Sequence, residues 1–306
     1  MDSVSLRFFE AVARSGAMNR AAEALNTVQS NVTARMKALE EELGVALFRR
    51  HSRGVELTSA GERLLPYALK SVHLMTEARR SVLDEGLPKG RLSLGSLETT
   101  AALRLSPLLS RYGTKYPEVD LSLKVGANDE LIRRVLDYEL DGAFVCGPVQ
   151  HPQLLSSVAF QEELVIASPA NVPLERHLAV GCRVLVKGQG CAYRNRLDVL
   201  LAQMGIQEVA RLEFGTLDAI IGCLEGGLGI TLLPRSLLQA AADAGRVRLT
   251  DLSPEAARVQ TLFIRRRDVG QFSALSALLA ELSPEVPASE ALPMEIGAGH
   301  RRSARG

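Results

Sequence analysis

The most constraining feature of the sequence is a change of periodicity at residues 85–90. From Val4 to about Leu83, small and apolar residues recur at three- and four-residue intervals, with one interruption near residues 47–57; this is the pattern of packed helices. Beyond it, short apolar runs alternate with helical stretches: RLSLGS (91–96), VDLSLKV (119–125), GAFVC (142–146), ELVIAS (163–168), VLVK (184–187), GITLLP (229–234) and VQTLFI (259–264). Strands alternating with helices imply parallel sheets covered by helices. The intervening EGLPKG, with two glycines and a proline, marks the boundary. The chain therefore divides into an all-helical unit and a larger α/β unit. The last stretch, 284–306, mixes Pro, Ala and Gly with His300, Arg301, Arg302 and Arg305, the composition of a disordered tail.

Charge narrows the partners very little. With 36 Lys plus Arg against 35 Asp plus Glu, the formal charge is +1, so a polyanionic partner must be shown by a local motif. Cys146, Cys182, Cys191 and Cys223 stand 36, 9 and 32 residues apart with no Cys-x-x-Cys, which favours neither a metal site nor a disulfide scaffold. A reducing cytoplasm fits this usage. Asp2, Arg7, Glu10 and Arg14 break up the N-terminus, leaving no apolar signal-peptide core, and no run of about 18 apolar residues is present to span a membrane.

Such a motif lies between Met18 and Leu43. A short helix containing Ala21, Ala22 and Leu25 is followed by a break at Asn26-Thr27 and a longer helix from about Val28 to Leu43, the length pattern of a helix-turn-helix. In the second helix Val32, Met36, Leu39 and Leu43, spaced 4, 3 and 4 apart, form an inward stripe. The opposite face carries Ser30, Thr33, Ala34, Lys37 and Glu41, flanked by Gln29, Asn31 and Arg35. Cations occupy its first half, whereas Glu40, Glu41 and Glu42 cluster at its end, so only the N-terminal half can enter an anionic groove without repulsion. Recognition helices dock that way, and Gln, Asn, Ser, Thr, Lys and Arg are the side chains that read bases and phosphates. The same periodicity equally describes the solvated face of any amphipathic helix.

The following residues favour the DNA reading. After Gly44, VALFRRHSRGVELT (45–58) holds two short extended runs joined by a turn around Ser52-Arg53-Gly54, with Arg49, Arg50 and Arg53 together. A basic hairpin directly after a recognition helix is a wing, placed for phosphates or the minor groove. Thr58-Ser59-Ala60-Gly61-Glu62 then opens a helix with a hydroxyl cap and an early acid. This helix is expected to reach about Glu85, roughly 28 residues or about 42 Å. Its apolar positions Leu64, Ala68, Val72, Met75 and Val82 exceed what a small domain can cover, which predicts pairing with a second copy.

The block LRFFEAVARSGAMNRAAEALNTVQSNVTARMKALEEELGVALFRR (6–50) with RGVELTSAGERLLPYA (53–68) resembles the N-terminal domain of LysR-type transcriptional regulators, nearly without gaps over the first seventy residues. The resemblance implies a winged helix-turn-helix at 1–58, a dimerising linker helix at 59–88 and an effector-binding domain at 89–283. It also implies promoter DNA as partner, a homodimer that commonly doubles to a homotetramer, and a contact with RNA polymerase. Gln29, Ser30 and Thr33 occupy the family's usual base-contacting places and Arg53 the wing tip. Asn31, Arg35, Lys37, Arg49, Arg50 and Thr58 complete the candidate DNA contacts. The chain departs from the family where a Pro and then an Arg are frequent in this helix, carrying Ser30 and Ala34.

The family's C-terminal part is similar to periplasmic binding proteins, two α/β subdomains joined by crossover strands with an effector between them. Here 91–162 and 265–283 are expected to form the first subdomain and 163–264 the second. Ligands in open parallel sheets bind beyond the carboxyl ends of strands, where helix N-termini point their free N–H groups. Those ends carry Ser96, Glu98, Thr99 and Thr100, then Asn128 and Gly147, and in the second subdomain Gly190, Cys191, Tyr193, Arg194 and Thr216. The hydroxyl residues among them equally read as helix caps. An acid at the lip, Glu98, with Arg194 opposite points to an effector with a cationic and an anionic end, and no cofactor beyond such a small-molecule co-inducer is expected. Cys191 sits where peroxide-sensing relatives place a reactive cysteine, but nine residues on is Leu200, and Cys182 lies nine residues before instead. Two further readings, an enzyme and a transporter's solute-binding protein, fit less well. The sequence shows no Gly-x-x-x-x-Gly-Lys, Gly-x-Ser-x-Gly or His-Glu-x-x-His, and neither reading explains the first eighty residues.

Overall fold

The structure is a computed structural model that describes residues 1–52, 54–179 and 181–282. The wing-tip Arg53 and the expected tail at 284–306 lie outside the described residues. Helix α1 (Ser3–Ser15) starts beneath Asp2, whose carboxylate accepts the Ser5 N–H, and stops at left-handed Gly16. After α2 (Met18–Ala24) the chain turns through Asn26 at φ 52° and enters α3 (Gln29–Leu43). Val32, Met36 and Leu39 of α3 pack with Phe9, Val12 and Ala21 in one core. Leu43, expected as the fourth inward residue, is 39% exposed, and Leu47 and Phe48 complete the core instead. The cause is Glu40: its carboxylate accepts the N–H groups of Leu47 (2.7 Å) and Phe48 (3.1 Å) and draws the chain back under the helix.

Strands β1 (Phe48–His51) and β2 (Gly54–Leu57) form the expected antiparallel hairpin. It is pressed onto the α1–α2 turn, where Val55 N–H donates to the Gly16 carbonyl at 2.9 Å. A Cβ on Gly54 would stand 2.4 Å from that oxygen, so only glycine allows the approach. Helix α4 (Ser59–Leu83) is 25 residues long and ends two residues before the expected Glu85. Gly61 in its first turn lets it cross the preceding segment, since a Cβ there would lie 2.3 Å from Leu47 O. The apolar row of α4 divides: Ala68 is fully buried and Leu64 packs beside it in the chain's own core, whereas Tyr67, Leu74, Met75 and Val82 stand exposed.

The remainder is a two-lobed α/β structure. β3 (Gly90–Ser96) runs through α5 (Glu98–Thr100) and a π-helical turn into α6 (Ser106–Lys115), β4 (Val119–Val125), α7 (Asn128–Leu136) and β5 (Gly142–Cys146). The long β6 (Leu154–Pro169) leads to α8 (Leu174–Ala179), β7 (Cys182–Lys187), α9 (Ala192–Gln203), β8 (Val209–Phe214), α10 (Leu217–Glu225) and β9 (Thr231–Pro234). Then come α11 (Arg235–Asp243), β10 (Val247–Thr250), α12 (Pro254–Ala257), β11 (Arg258–Arg266) and α13 (Ser273–Leu282). β3 pairs in parallel with β4 and β5, and β7 with β8, as the alternation of strands and helices implies. β6, β9, β10 and β11 pair antiparallel, so the sheet is mixed.

β6 joins the lobes. Its first half pairs with β11 in the first lobe, and its second half pairs with β9 and β10 in the second. β11 corrects the expected boundary. Thr261–Ile264 pairs with Cys146–Ala143 of β5, and Leu262, Phe263 and Ile264 sit in first-lobe cores, so the chain has returned by about residue 261 rather than at 265. An apolar run cannot reveal which sheet its backbone joins. Helix α4 also lies against the first lobe: Glu77 accepts the Gly270 N–H (2.6 Å), Asp84 accepts that of Ser273 (2.7 Å), and Arg80 pairs with Asp141 (3.0 Å) beneath Phe272.

Candidate functional site

Two places in this fold carry the residues singled out in the sequence. The first is the start of α3 with the adjoining hairpin. Gln29, Ser30, Asn31 and Lys37 are exposed, and Thr33 and Arg35 are half-buried. No side chain caps the first turn of α3; the Asn31 and Val32 N–H groups donate to Val28 O, which leaves the Gln29 and Ser30 N–H groups at the open end of the helix. Asn31 donates to the Thr27 hydroxyl (3.0 Å), Lys37 pairs with Glu41 (3.5 Å), and the Arg35 guanidinium lies 5.1 Å above the Phe8 ring. Gln29 and Ser30 keep their side chains clear of any hydrogen bond to the other described residues. Arg49 and Arg50 are both exposed on β1. As neighbours on a strand they point to opposite faces of the ribbon, Arg49 across from Glu56 and Arg50 across from Val55. Thr58 is a correction: its hydroxyl donates to Ala46 O (2.7 Å) and accepts the Gly61 N–H (3.1 Å), so it caps α4 and is spent within the protein.

The second is a cleft of about 490 Å³ between the lobes. Glu98, Thr99, Cys191 and Tyr193 line it, as the strand-end reading expects. Leu97, Val125, Ala127, Leu217 and Leu233 make its wall largely apolar. Polar contacts between described residues cross it at Glu98 and at Thr99. The Glu98 carboxylate bonds the Lys187 ammonium and accepts the Leu217 N–H (3.3 Å), and the Thr99 and Tyr193 hydroxyls lie 3.5 Å apart. Tyr193 is buried, which pushes its phenol well above the ordinary range and keeps it neutral.

Other expected cleft residues serve the frame. Ser96 and Thr100 are buried, with the Ser96 hydroxyl bonded to Leu97 O. Asn128 ties α7 to β5 through both the N–H and the carbonyl of Cys146. Gly147 donates to Gln260 O, and Thr216 caps α10 through the Ala219 N–H. Gly190 turns at φ 85° beside Ala127 of the other lobe. Arg194 is the main correction: its guanidinium is held by Glu213 (2.6 Å) and Lys187 O (3.3 Å), clamping the ends of β7 and β8, and it does not face Glu98. The cation opposite Glu98 is Lys187, which the sequence reading missed. It ends the quoted run VLVK, at the carboxyl end of a strand, where the same rule applies. Cys191 is half-buried at the lip, but neither Cys182, at the opposite end of β7, nor Cys146 is a good partner. Cys182 and Cys146 are buried, and burial raises both, Cys146 to about 11.

A helix-turn-helix with a basic hairpin, an extended helix and a two-lobed sensor define the class of a ligand-responsive DNA-binding protein. Residues 4–62 match the bacterial regulatory helix-turn-helix protein, lysR family, and residues 85–286 the LysR substrate binding domain. The chain is 42% identical over 279 residues to the HTH-type transcriptional regulator GltR of Bacillus subtilis, covering 90% of this chain and 94% of that one. It is 40% identical over 283 residues to the regulator YofA of the same organism, covering 92% and 99%. Among solved structures, full-length CbnR complexed with its target DNA matches at TM-score 0.60 and 24% identity over 92% of this chain and 99% of that one. A full-length OxyR variant from Pseudomonas aeruginosa matches at 0.69 and 22% over 92% and 93%; both show the shared fold. The chain belongs to the LysR family: it is a DNA-binding transcriptional regulator with an effector-binding domain, and its relatives are regulators rather than enzymes. No described helix is long and apolar enough to cross a membrane.

Proposed function

We propose that this regulator binds promoter DNA as a homodimer joined along α4, with Gln29, Ser30 and Thr33 reading bases and Arg49, Arg50 and Arg53 gripping the backbone. The observation that carries this reading is the uncapped start of α3, which presents exposed Gln29 and Ser30 next to a basic hairpin. A two-fold dimer supplies two such faces to two half-sites, and a pair of dimers forms the tetramer that bends or spans a longer site. The exposed row Tyr67, Leu74, Met75 and Val82 on α4 supports pairing with a second copy. The effector is a small molecule in the cleft lined by Glu98, Thr99, Lys187 and Tyr193, and it acts on α4 through the first lobe, against which the helix lies. The protein works in the cytoplasm at promoters, in contact with RNA polymerase. A gel shift with DNA from upstream of its own and adjacent genes tests the reading. Binding there, lost in the Arg49→Ala/Arg50→Ala variant with its oligomeric state intact, supports it; equal affinity for unrelated DNA contradicts it.

A further inference from the structure

The cleft is closed by charges that belong to the protein itself. Glu98 stands on the first lobe directly after β3, while its partners, the Lys187 ammonium and the Leu217 N–H, belong to the second. Lys187 also donates to Gly215 O at 2.8 Å. About two-thirds of each charged side chain is withdrawn from water, with 32% of Glu98 and 28% of Lys187 exposed. Around this pair the wall is apolar, from Leu97, Val125, Ala127, Leu217 and Leu233.

We infer that the Glu98–Lys187 pair is a cross-cleft latch, and that the effector which opens it is a small amino-carboxylate with an apolar body. In this arrangement the effector's carboxylate takes Lys187 and its ammonium takes Glu98. Charge balance selects such a ligand, given that the cleft is the effector site. A ligand carrying only a carboxylate must displace Glu98 from Lys187 and leave it unpaired against apolar surface. A ligand carrying only an ammonium strands Lys187 in the same way. Partly buried charges that lose their partner are costly, which makes such ligands poor competitors. A neutral apolar ligand offers nothing to either end. A zwitterion inserted head to tail leaves both protein charges paired and replaces one ion pair by two. Because the latch ends are in direct contact, the inserted group also spreads the lobes. The cross-cleft contact of Thr99 with Tyr193, at 3.5 Å, is long enough to yield.

The chain has no tryptophan, so a Val125→Trp substitution places a unique fluorophore on the cleft wall. The probes are L-phenylalanine with 3-phenylpropanoate and phenethylamine, and L-leucine with 4-methylpentanoate and 3-methylbutylamine, titrated calorimetrically into the full chain and fluorimetrically into the Val125→Trp chain. At least one amino acid is expected to bind tenfold or more tightly than its own acid and amine, about 1.4 kcal/mol. Glu98→Gln is expected to shift preference at least tenfold toward the acid, and Lys187→Gln toward the amine. The exchanged variant Glu98→Lys/Lys187→Glu, which rebuilds the pair with reversed polarity, is expected to restore the amino acid. Failure of both amino acids to bind, an acid or amine that binds as well, or an unchanged ranking in the single variants overturns the latch and leaves the cleft as the effector site. Binding heat from the Val125→Trp chain itself without any change in its Trp fluorescence overturns the cleft reading.

Discussion

The exposed row on α4 gives a sharp expectation for Leu74→Ala. In the single chain Leu74 is 58% exposed, while Ala68, two turns earlier, is fully buried in the DNA-binding unit's own core. Complete burial of a leucine side chain is worth roughly 1.5–3 kcal/mol, so covering the exposed 58% gains about 1–1.7 kcal/mol per chain. A two-fold interface presents the residue twice, which brings the loss on truncation to about 2–3.5 kcal/mol. That corresponds to roughly a 30- to 300-fold weaker dimer. Sedimentation equilibrium over a dilution series reads this directly, and thermal unfolding at high protein concentration checks that each chain's fold is untouched. An unchanged dimer dissociation constant would refute the pairing of α4 along this row. A comparable loss from Arg79→Ala alone would place the contact on another face.

Two further expectations concern the contacts that hold the wing and the linker. Glu40→Ala removes the acceptor of both the Leu47 and the Phe48 N–H; hydrogen bonds to a charged group contribute about 1.5–3 kcal/mol, so urea unfolding should show the N-terminal unit weakened by about that amount, with DNA affinity reduced as the wing loosens. Unchanged stability would remove Glu40 from that role. His73 lies with its ring 4.4 Å from that of Tyr138, between α4 and the first lobe. Its burial lowers its pKa below the usual 6.5, against the opposing pull of Glu77 and Asp141. The unfolded chain therefore binds this proton more readily, so the contribution of neutral His73 is present above about pH 6.5 and is lost as pH falls below it. Thermal unfolding between pH 7.5 and 5.5 should fall less steeply in His73→Phe than in the native chain, and parallel slopes would count against the assignment.

Periodicity located the helices, the hairpin and most strands because each depends on a local alternation of apolar and polar side chains. It missed β8 and β10: VARLEF and VRLT are half-polar and edge-like, and β8 keeps much of its surface toward solvent. The register of β11 depends on backbone hydrogen bonds to β5, which no apolar run records. At the cleft, the strand-end rule found Glu98, Thr99, Cys191 and Tyr193 because fold geometry alone brings such residues together. It could not tell that Arg194 would turn to Glu213 and leave Lys187 to face Glu98, since Lys187 ends the strand that Arg194 follows and side-chain direction decides which of them enters the cleft. The acidic cluster at the end of α3 was legible as charge but not as structure: Glu40 anchors the wing, Glu41 pairs with Lys37, and Glu42 meets the N-terminal ammonium.

Whether the start of α3 reads bases while the hairpin holds phosphates is decided by fluorescence anisotropy with the regulator's own upstream site and a scrambled duplex, each at several salt concentrations. Gln29→Ala should cost about 1–3 kcal/mol on the specific site and little on the scrambled one. Arg50→Ala should weaken both about equally and reduce the salt slope by about one. Equal losses on both duplexes for Gln29→Ala would contradict the assignment of α3 as the recognition helix.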